Sequence, residues 1–123
     1  ETDKKDRRTP TLILQGNRTI ELTLPVINMG RKSSNHIVIN DLRISRNHAQ
    51  LRKLRDTYML FDIGSSGGTF INGTRIERHV LRPGDVISLA GYTMIFTIDQ
   101  SPPEETQKGI TSELKNIGEE EEK

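Results

Sequence analysis

The chain of 123 residues contains no cysteine and no tryptophan, and aromatic residues make up only 4% of it. Without cysteine, it can form no disulfide and offers no thiolate to a metal or a substrate. No apolar run approaches the roughly 18 residues of a membrane-spanning helix. The N-terminus also lacks the apolar segment of a secretory signal. These absences predict a cytoplasmic or otherwise intracellular protein that makes no contact with a membrane.

The formal net charge of +1 conceals an uneven distribution. Residues 11–99 carry eleven Lys and Arg against seven Asp and Glu, whereas residues 100–123 carry three Lys against seven Glu. A mildly basic core suits an anionic ligand, and an acidic segment can compete for the same surface. We interpret residues 1–10 as a disordered N-terminal tail and residues 100–123 as an acidic C-terminal tail or linker, because both are highly charged.

Between the tails, short apolar runs alternate with turn signals about every eight to twelve residues. Asn72-Gly73 is the strongest hairpin signal, because a type I′ turn requires a positive φ at both central residues. Arg82-Pro83-Gly84-Asp85 fits a type II turn, in which Pro sets φ and Gly supplies a positive φ. No window has the pattern of an amphipathic helix. Residues 11–99 are therefore predicted to form one all-β domain, a β-sandwich.

Three turn-rich segments between these runs carry hydrogen-bond donors. Arg31 follows Gly30 with a forked, permanently charged group that matches phosphate. Residues 45–48 read Ser-Arg-Asn-His, and the hydroxyl of a loop serine can donate to an anion. Residues 64–69 read Gly-Ser-Ser-Gly-Gly-Thr, a composition that lets backbone amides approach an anion closely. Such loops, meeting at one end of a rigid β scaffold, form an anion receptor.

The order and spacing of these segments resemble those of the forkhead-associated (FHA) domain, a module that binds phosphothreonine peptides. The resemblance extends from about residue 11 to about residue 99. It implies an FHA-like β-sandwich of two twisted, mostly antiparallel sheets, with the ligand-binding loops at one end. It also implies a phosphothreonine-dependent adaptor in kinase signalling that needs no cofactor.

The resemblance assigns roles to individual residues. Arg31 and Ser45 contact the phosphate, and Ser66 hydrogen-bonds it. His48 is a structural histidine that supports the loop. In some relatives the residue two places before the serine that corresponds to Ser45 reads the third residue after the phosphothreonine. An arginine there, Arg43, would favour Asp or Glu at that position, and the alternative is that Arg43 is simply exposed. The predicted phosphopeptide-binding residues are Arg31, Arg43, Ser45, Arg46, Ser65, Ser66 and Gly67, and the predicted structural residues are Gly30, His48, Asn72 and Gly73.

Gly67 departs from the family pattern. Members of the family commonly carry asparagine at this place, and its side-chain amide holds the main chain of the ligand just after the phosphothreonine. Glycine cannot make that contact. The loss of one or two hydrogen bonds would weaken binding by roughly 1–3 kcal/mol, unless a neighbouring group or a water molecule replaces them.

Catalysis is a competing interpretation, because Ser45, His48 and Asp62 include the residue types of a hydrolytic triad. The sequence lacks the Gly-x-Ser-x-Gly pattern around a nucleophilic serine, and so small and aromatic-poor a chain has little volume for an enclosed active site. The spacing of His36, His48 and His79 does not fit a zinc site. We therefore expect no enzyme activity and no metal.

Two binding interpretations also compete. The basic residues Arg52, Lys53 and Arg55 have little aromatic interleaving, and the total charge is near zero, so we expect no nucleic-acid binding. The alternative that remains is an FHA-fold scaffold that binds a protein partner through its sheet face without phosphate dependence. Replacement of Arg31 or Ser45 by alanine would abolish phosphate-dependent binding but not binding through the sheet face.

The predicted partner is a phosphothreonine-containing protein or the chain's own phosphorylated tail. The tails contain four threonines that a kinase could modify, and a phosphate adds a charge of about −1.5 to −2. Docking of such a tail in the phosphate site would close the module or link two copies. The chain is otherwise expected to be a monomer. These threonines are Thr2, Thr9, Thr106 and Thr111.

Overall fold

The computed structural model of the chain describes residues 8–100, and the side chains of residues 9–98. Most of the two predicted tails lies outside this range. The described residues form eleven strands and one turn of 3-10 helix at Gln15–Asn17. The strands are β1 (Arg8–Ile13), β2 (Thr19–Glu21), β3 (Val26–Gly30), β4 (Ile37–Val38), β5 (Ala49–Leu54), β6 (Thr57–Asp62), β7 (Thr69–Ile71), β8 (Thr74–Arg75), β9 (Arg78–Val80), β10 (Val86–Leu89) and β11 (Tyr92–Gln100).

The strands form two sheets. One has six strands in the order β2-β1-β11-β10-β7-β8, and the other has five in the order β4-β3-β5-β6-β9. The pairs β1–β2, β3–β5, β5–β6, β6–β9, β7–β8, β7–β10 and β10–β11 are antiparallel, and β3 and β4 are parallel. The predicted all-β sandwich with mostly antiparallel sheets is therefore confirmed.

Alternating side chains build the core between the sheets. In β5 and β6, Leu51 lies opposite Leu60, and both are fully buried. The hydroxyl of the buried Tyr58 donates to the carbonyl of Leu24 over 2.6 Å, which satisfies its polar end. Burial of each large apolar side chain contributes about 1.5–3 kcal/mol. The fully buried apolar side chains include Leu12, Met29, Leu51, Tyr58, Leu60, Ile87, Leu89 and Phe96.

Strand β1 begins at Arg8 and so includes three residues of the predicted N-terminal tail. Pro10 is buried, and its carbonyl accepts a hydrogen bond from the backbone N–H of Leu22 over 2.8 Å. A proline lacks an N–H but keeps its acceptor. Pro10 therefore takes part in this sheet through its carbonyl oxygen.

Two tight hairpin turns have positive φ angles at both central residues. Asn72 (φ 50°) and Gly73 (φ 86°) join β7 to β8, where the sequence predicts a type I′ turn. Ala90 (φ 53°) and Gly91 (φ 98°) join β10 to β11 in the same way. Alanine is uncommon in this left-handed region, so the second turn has only a weak signal in the sequence.

Candidate functional site

Three loops and one hairpin turn are hydrogen-bonded together at one end of the sandwich. The loops are residues 31–36, residues 39–48 and residues 63–68, and the turn is Ala90-Gly91. The N–H of Arg31 donates to the carbonyl of Ser45 over 3.1 Å, and the N–H of Ala90 donates to the carbonyl of Gly68 over 3.0 Å. The predicted donor segments are thus neighbours, although long stretches of sequence separate them.

Arg31 is half-buried, and its guanidinium is held by the neighbouring loop. Its Nε donates to the carbonyl of Ile44 over 3.0 Å. Within residues 9–98, no carboxylate forms an ion pair with Arg31. The terminal guanidinium nitrogens therefore keep donors and a positive charge that a phosphate can use.

Gly30 allows this loop to approach its neighbour. A Cβ atom added at Gly30 would lie 2.2 Å from the carbonyl oxygen of Arg46 and 2.8 Å from Nδ2 of Asn35. That same carbonyl accepts hydrogen bonds from the N–H of Lys32 and from Asn35. Any side chain at position 30 would separate the two loops. The side chain of Arg46 itself is exposed.

Ser45 and Ser66 come together from different loops. The backbone N–H of Ser66 donates to Oγ of Ser45 over 3.1 Å. Because Oγ of Ser45 accepts this bond, its own hydroxyl proton remains able to donate to a ligand. Ser66 is exposed. The pair therefore presents two hydroxyl groups to solvent-accessible space.

The buried side chain of His48 links the loop that carries Ser45 to the loop that carries Ser66. Its side chain is fully buried, the backbone N–H of Ser45 donates to Nδ1 over 3.1 Å, and Nε2 lies 2.9 Å from the carbonyl oxygen of Gly68. Since an N–H can only donate, Nδ1 must accept, and the ring proton is on Nε2. The ring faces the main chain of Ser45 and not its hydroxyl, which differs from a nucleophile–base pair.

Asp62 holds the loop of residues 63–68 from within. Its carboxylate accepts bonds from the N–H of Ser65 (3.0 Å), the hydroxyl of Ser65 (2.6 Å) and the hydroxyl of Thr69 (2.7 Å). Burial raises the pKa of Asp62, but these hydrogen bonds lower it by a larger amount, so that its pKa is below the ordinary value. Asp62 is therefore a structural carboxylate in this geometry.

Ser65, one of the predicted ligand contacts, is largely buried in its own loop. It is only 8% exposed, and its hydroxyl both donates to Asp62 and accepts from the N–H of Gly68 over 2.9 Å. Both hydrogen-bonding functions of this hydroxyl are occupied inside the loop. This geometry argues against a direct contact between the Ser65 side chain and a ligand.

Arg43, which is predicted to read an acidic ligand residue, is paired with Asp41 in this structure. Its Nε lies 3.0 Å from Oδ1 of Asp41, and its Nη2 lies 2.6 Å from Oδ2. Hydrogen bonding by Arg43 lowers the pKa of the Asp41 carboxyl to about 2. The pair is exposed on the arginine side. An acidic ligand residue would have to compete with Asp41 for this guanidinium.

Gly67 is packed against the turn between β10 and β11. A Cβ atom added at Gly67 would lie only 2.5 Å from Cβ of Ala90 and 3.6 Å from the carbonyl oxygen of Arg43. An asparagine, the residue common in the FHA family, would not fit here unless one of the two segments moved. The departure at position 67 thus has a steric reason within this chain.

Asn72 and its turn lie at the far end of β7 from these loops. The side chain of Asn72 donates to Asp85 over 3.0 Å and accepts from the N–H of Val86 over 2.9 Å. Asp85 also accepts from the N–H of Arg82 and lies 3.1 Å from Nε2 of His79. Burial raises the pKa of Asp85, but these contacts together bring it below its ordinary value. Asn72 and Gly73 thus shape the opposite end of the sandwich.

The described residues contain neither a cluster of metal-ligating side chains nor a long apolar helix. No group of three or more His, Asp or Glu side chains there is arranged to hold a metal ion. Between residues 8 and 100, no helix has the length and apolar character to cross a membrane.

The fold and the loop cluster define a β-sandwich with hydrogen-bond donors gathered at one end. The sequence profile of the FHA domain family matches residues 27–90, which is more than half of the chain. The chain therefore belongs to the FHA domain family. This confirms the family to which the sequence motifs pointed.

Two curated relatives resemble part of this chain in sequence. An oxoglutarate dehydrogenase inhibitor from Corynebacterium jeikeium is 34% identical over 67 residues, which cover 54% of this chain and 46% of that protein. The glycogen accumulation regulator GarA of Mycolicibacterium smegmatis is 29% identical over 75 residues, which cover 61% of this chain and 48% of GarA. The chain thus spans about half the length of these curated relatives.

Solved structures resemble the fold closely. A structure described in a structural and functional analysis of phosphothreonine-dependent FHA domain interactions superposes with a TM-score of 0.69 and 28% identity, covering 72% of this chain and 95% of the other. Mycobacterium tuberculosis EmbR, in complex with a low-affinity phosphopeptide, superposes with a TM-score of 0.71 and 26% identity, covering 76% of this chain and 25% of EmbR.

Proposed function

We propose that this domain binds phosphothreonine-containing protein segments through Arg31, Ser45 and Ser66 and performs no chemistry itself. The observation that supports the proposal is the meeting of three donors at one end of the sandwich. The guanidinium of Arg31 is free of carboxylates within residues 9–98, and the Ser45 hydroxyl is held beside Ser66. The phosphothreonine-dependent and phosphopeptide-bound neighbours in the family support the same ligand class.

The physical basis is charge-assisted hydrogen bonding. A phosphate carries about two negative charges and three acceptor oxygens at neutral pH. Arg31 supplies a forked cation whose Nε is already fixed by Ile44, so less side-chain freedom is lost on binding. The hydroxyls of Ser45 and Ser66 supply neutral donors to the remaining oxygens. The preference for threonine over serine is an expectation from the family.

Calorimetric titration tests this proposal. The chain is titrated with an oriented phosphothreonine peptide library and with matched threonine and phosphoserine libraries. Arg31→Ala is expected to weaken phosphothreonine binding by about tenfold or more, because a hydrogen bond to a charged group contributes about 1.5–3 kcal/mol. Ser45→Ala is expected to weaken it by a smaller factor.

Arg82→Gln is the matched control, because it removes one exposed positive charge from the turn before β10, at the opposite end of that strand from Ala90. It should leave binding unchanged. Equal binding of phosphorylated and unphosphorylated peptides, or full affinity in Arg31→Ala, would contradict the proposal.

A second candidate function is phosphate-independent binding at the outer face of the five-stranded sheet. Val26 and Val80 are 41% and 40% exposed there, and Arg52 stacks over the Phe61 ring with its Cζ 4.9 Å from the ring centroid. Exposed apolar side chains beside an ordered arginine are typical of protein interfaces. Binding of a partner that survives Arg31→Ala but is lost in Arg52→Ala would favour this face.

A further inference from the structure

We propose that Arg75 determines peptide specificity by pairing with a carboxylate that flanks the phosphothreonine. This inference rests on the proposed function and adds a residue that the sequence did not single out. Arg75 lies on β8, the edge strand of the six-stranded sheet, opposite Phe70 in the β7–β8 pair. Its side chain reaches the loop that carries Ser66.

The guanidinium of Arg75 packs against the Gly67-Gly68 segment. A Cβ atom added at Gly68 would lie 3.0 Å from Nε and 3.1 Å from Cζ of Arg75, so the guanidinium rests directly against this glycine. Gly67 meets the turn Ala90-Gly91, and a Cβ added at Gly91 would lie 2.8 Å from Nη1 of Arg43. Two arginines thus lie close to the loop that carries Ser66.

Arg43 and Arg75 differ in whether a carboxylate of the chain already pairs with them. Arg43 makes a two-point contact with Asp41. Arg75 has no ion pair and donates no hydrogen bond to another group within residues 9–98. An unpaired guanidinium attracts a carboxylate more strongly than one that must first be separated from its partner. Preference for an acidic ligand residue therefore belongs to Arg75.

The position of Arg75 also favours recognition. The ring of Phe70 contacts the same glycine, since its Cε1 lies 3.0 Å from a Cβ built at Gly68. Packing on a glycine beside an aromatic ring restricts the side chain before the ligand arrives, which lowers the entropic cost of binding. In addition, Gly67 offers no side-chain amide to the ligand, so a charged contact beside it supplies orientation that an asparagine would otherwise supply.

A double-mutant cycle between protein and peptide tests the inference. Starting from a phosphothreonine peptide that binds the chain, Asp and Asn are compared at each position from four residues before to four residues after the phosphothreonine. Affinities are measured by fluorescence anisotropy for the unmodified chain, Arg75→Gln, Arg75→Lys and the control Arg82→Gln. We expect one or two positions where Asp binds about two- to fivefold more tightly than Asn, the range of an exposed ion pair.

Arg75→Gln should abolish this Asp preference while phosphate-dependent binding persists, and Arg75→Lys should keep part of it. The preference should also shrink as salt is raised. An Asp preference that survives Arg75→Gln, that falls equally in Arg82→Gln, or that is absent from the unmodified chain would overturn the inference alone. Absence of any phosphate-dependent binding would overturn the proposed function and this inference with it.

Discussion

Gly67→Ala tests how closely the loop that carries Ser66 packs against the β10–β11 turn, because it adds a methyl group at their contact. Its carbon would lie 2.5 Å from Cβ of Ala90, whereas carbon atoms in good contact are about 3.5–4.0 Å apart. The Ala90 carbon is attached directly to the main chain and cannot rotate away. Gly67→Ala therefore forces one of the two segments to move by about 1 Å, the difference between these separations.

The expected loss in the free energy of unfolding follows from this geometry. Overpacking costs about 1–3 kcal/mol, so Gly67→Ala should lower the free energy of unfolding by about 2 kcal/mol. Ala90→Gly removes the obstructing methyl and also relieves a left-handed alanine, a conformation that costs about 1–2 kcal/mol. Gly67 itself does not have a positive φ, but a Cβ at this position would still lie 3.3 Å from Cα of residue 90 after the methyl of Ala90 is removed. In the Ala90→Gly background, Gly67→Ala should thus cost only about 0–1 kcal/mol, less than in the unmodified chain.

Equilibrium urea unfolding of the four proteins in this cycle provides the assay. Circular dichroism is the suitable signal because the chain has no tryptophan. Gly64→Ala is the control, since Gly64 has a φ of +64° but no atom within 4 Å of an added Cβ. Its cost should be the same whether or not Ala90 is also replaced by glycine. A cost of Gly67→Ala that does not change on Ala90→Gly would refute the steric reasoning.

Two further predictions concern the side chains beneath the loops. His48→Ala removes a fully buried ring and its two hydrogen bonds to the loops. In urea unfolding it should lower the free energy of unfolding by about 3 kcal/mol, and it should also weaken phosphothreonine peptide binding. An unchanged stability together with an unchanged peptide affinity would contradict the role of the ring. Because the pKa of Asp62 is lowered in the folded state, its carboxylate contributes its full stability above the ordinary aspartate pKa of about 3.9. This stability is lost as the pH falls through the lower folded pKa. Asp62→Asn should therefore reduce the loss of stability between about pH 5 and pH 2 in urea unfolding, and an unchanged pH profile would refute this.

Much of the fold could be predicted because its signals are local. Alternation along β5 and β6 follows directly from the two-residue period of a strand. The Asn72-Gly73 hairpin is visible because both residues tolerate a positive φ. The Ala90-Gly91 turn has a weaker signal, because alanine rarely adopts φ near 53°. Its conformation is imposed by the sheet and by the hydrogen bond to Gly68.

The site was less predictable because the partners of a side chain depend on tertiary structure. Ser65 and Ser66 are adjacent and chemically identical, yet one points to Asp62 and the other is exposed. Arg43 has the right type for an acidic ligand, but Asp41, two residues before it, occupies its guanidinium. The Asn72-Gly73 hairpin places Arg75 opposite Phe70, but the packing of its guanidinium against Gly68 depends on tertiary structure.

The residues that hold the loops in place are different from those that would select a ligand. His48, Asp62 and Ser65 hold the loops in place through buried hydrogen bonds, so little further ordering is needed when a ligand arrives. If the proposed function holds, they support every ligand alike and should not distinguish one peptide from another. Arg75, and the packing of Gly67 against Ala90, lie beside the loop surface where neighbouring ligand residues would pass. Changes in peptide preference should accordingly arise from these positions, whereas changes in the buried set should alter stability and affinity for all peptides together.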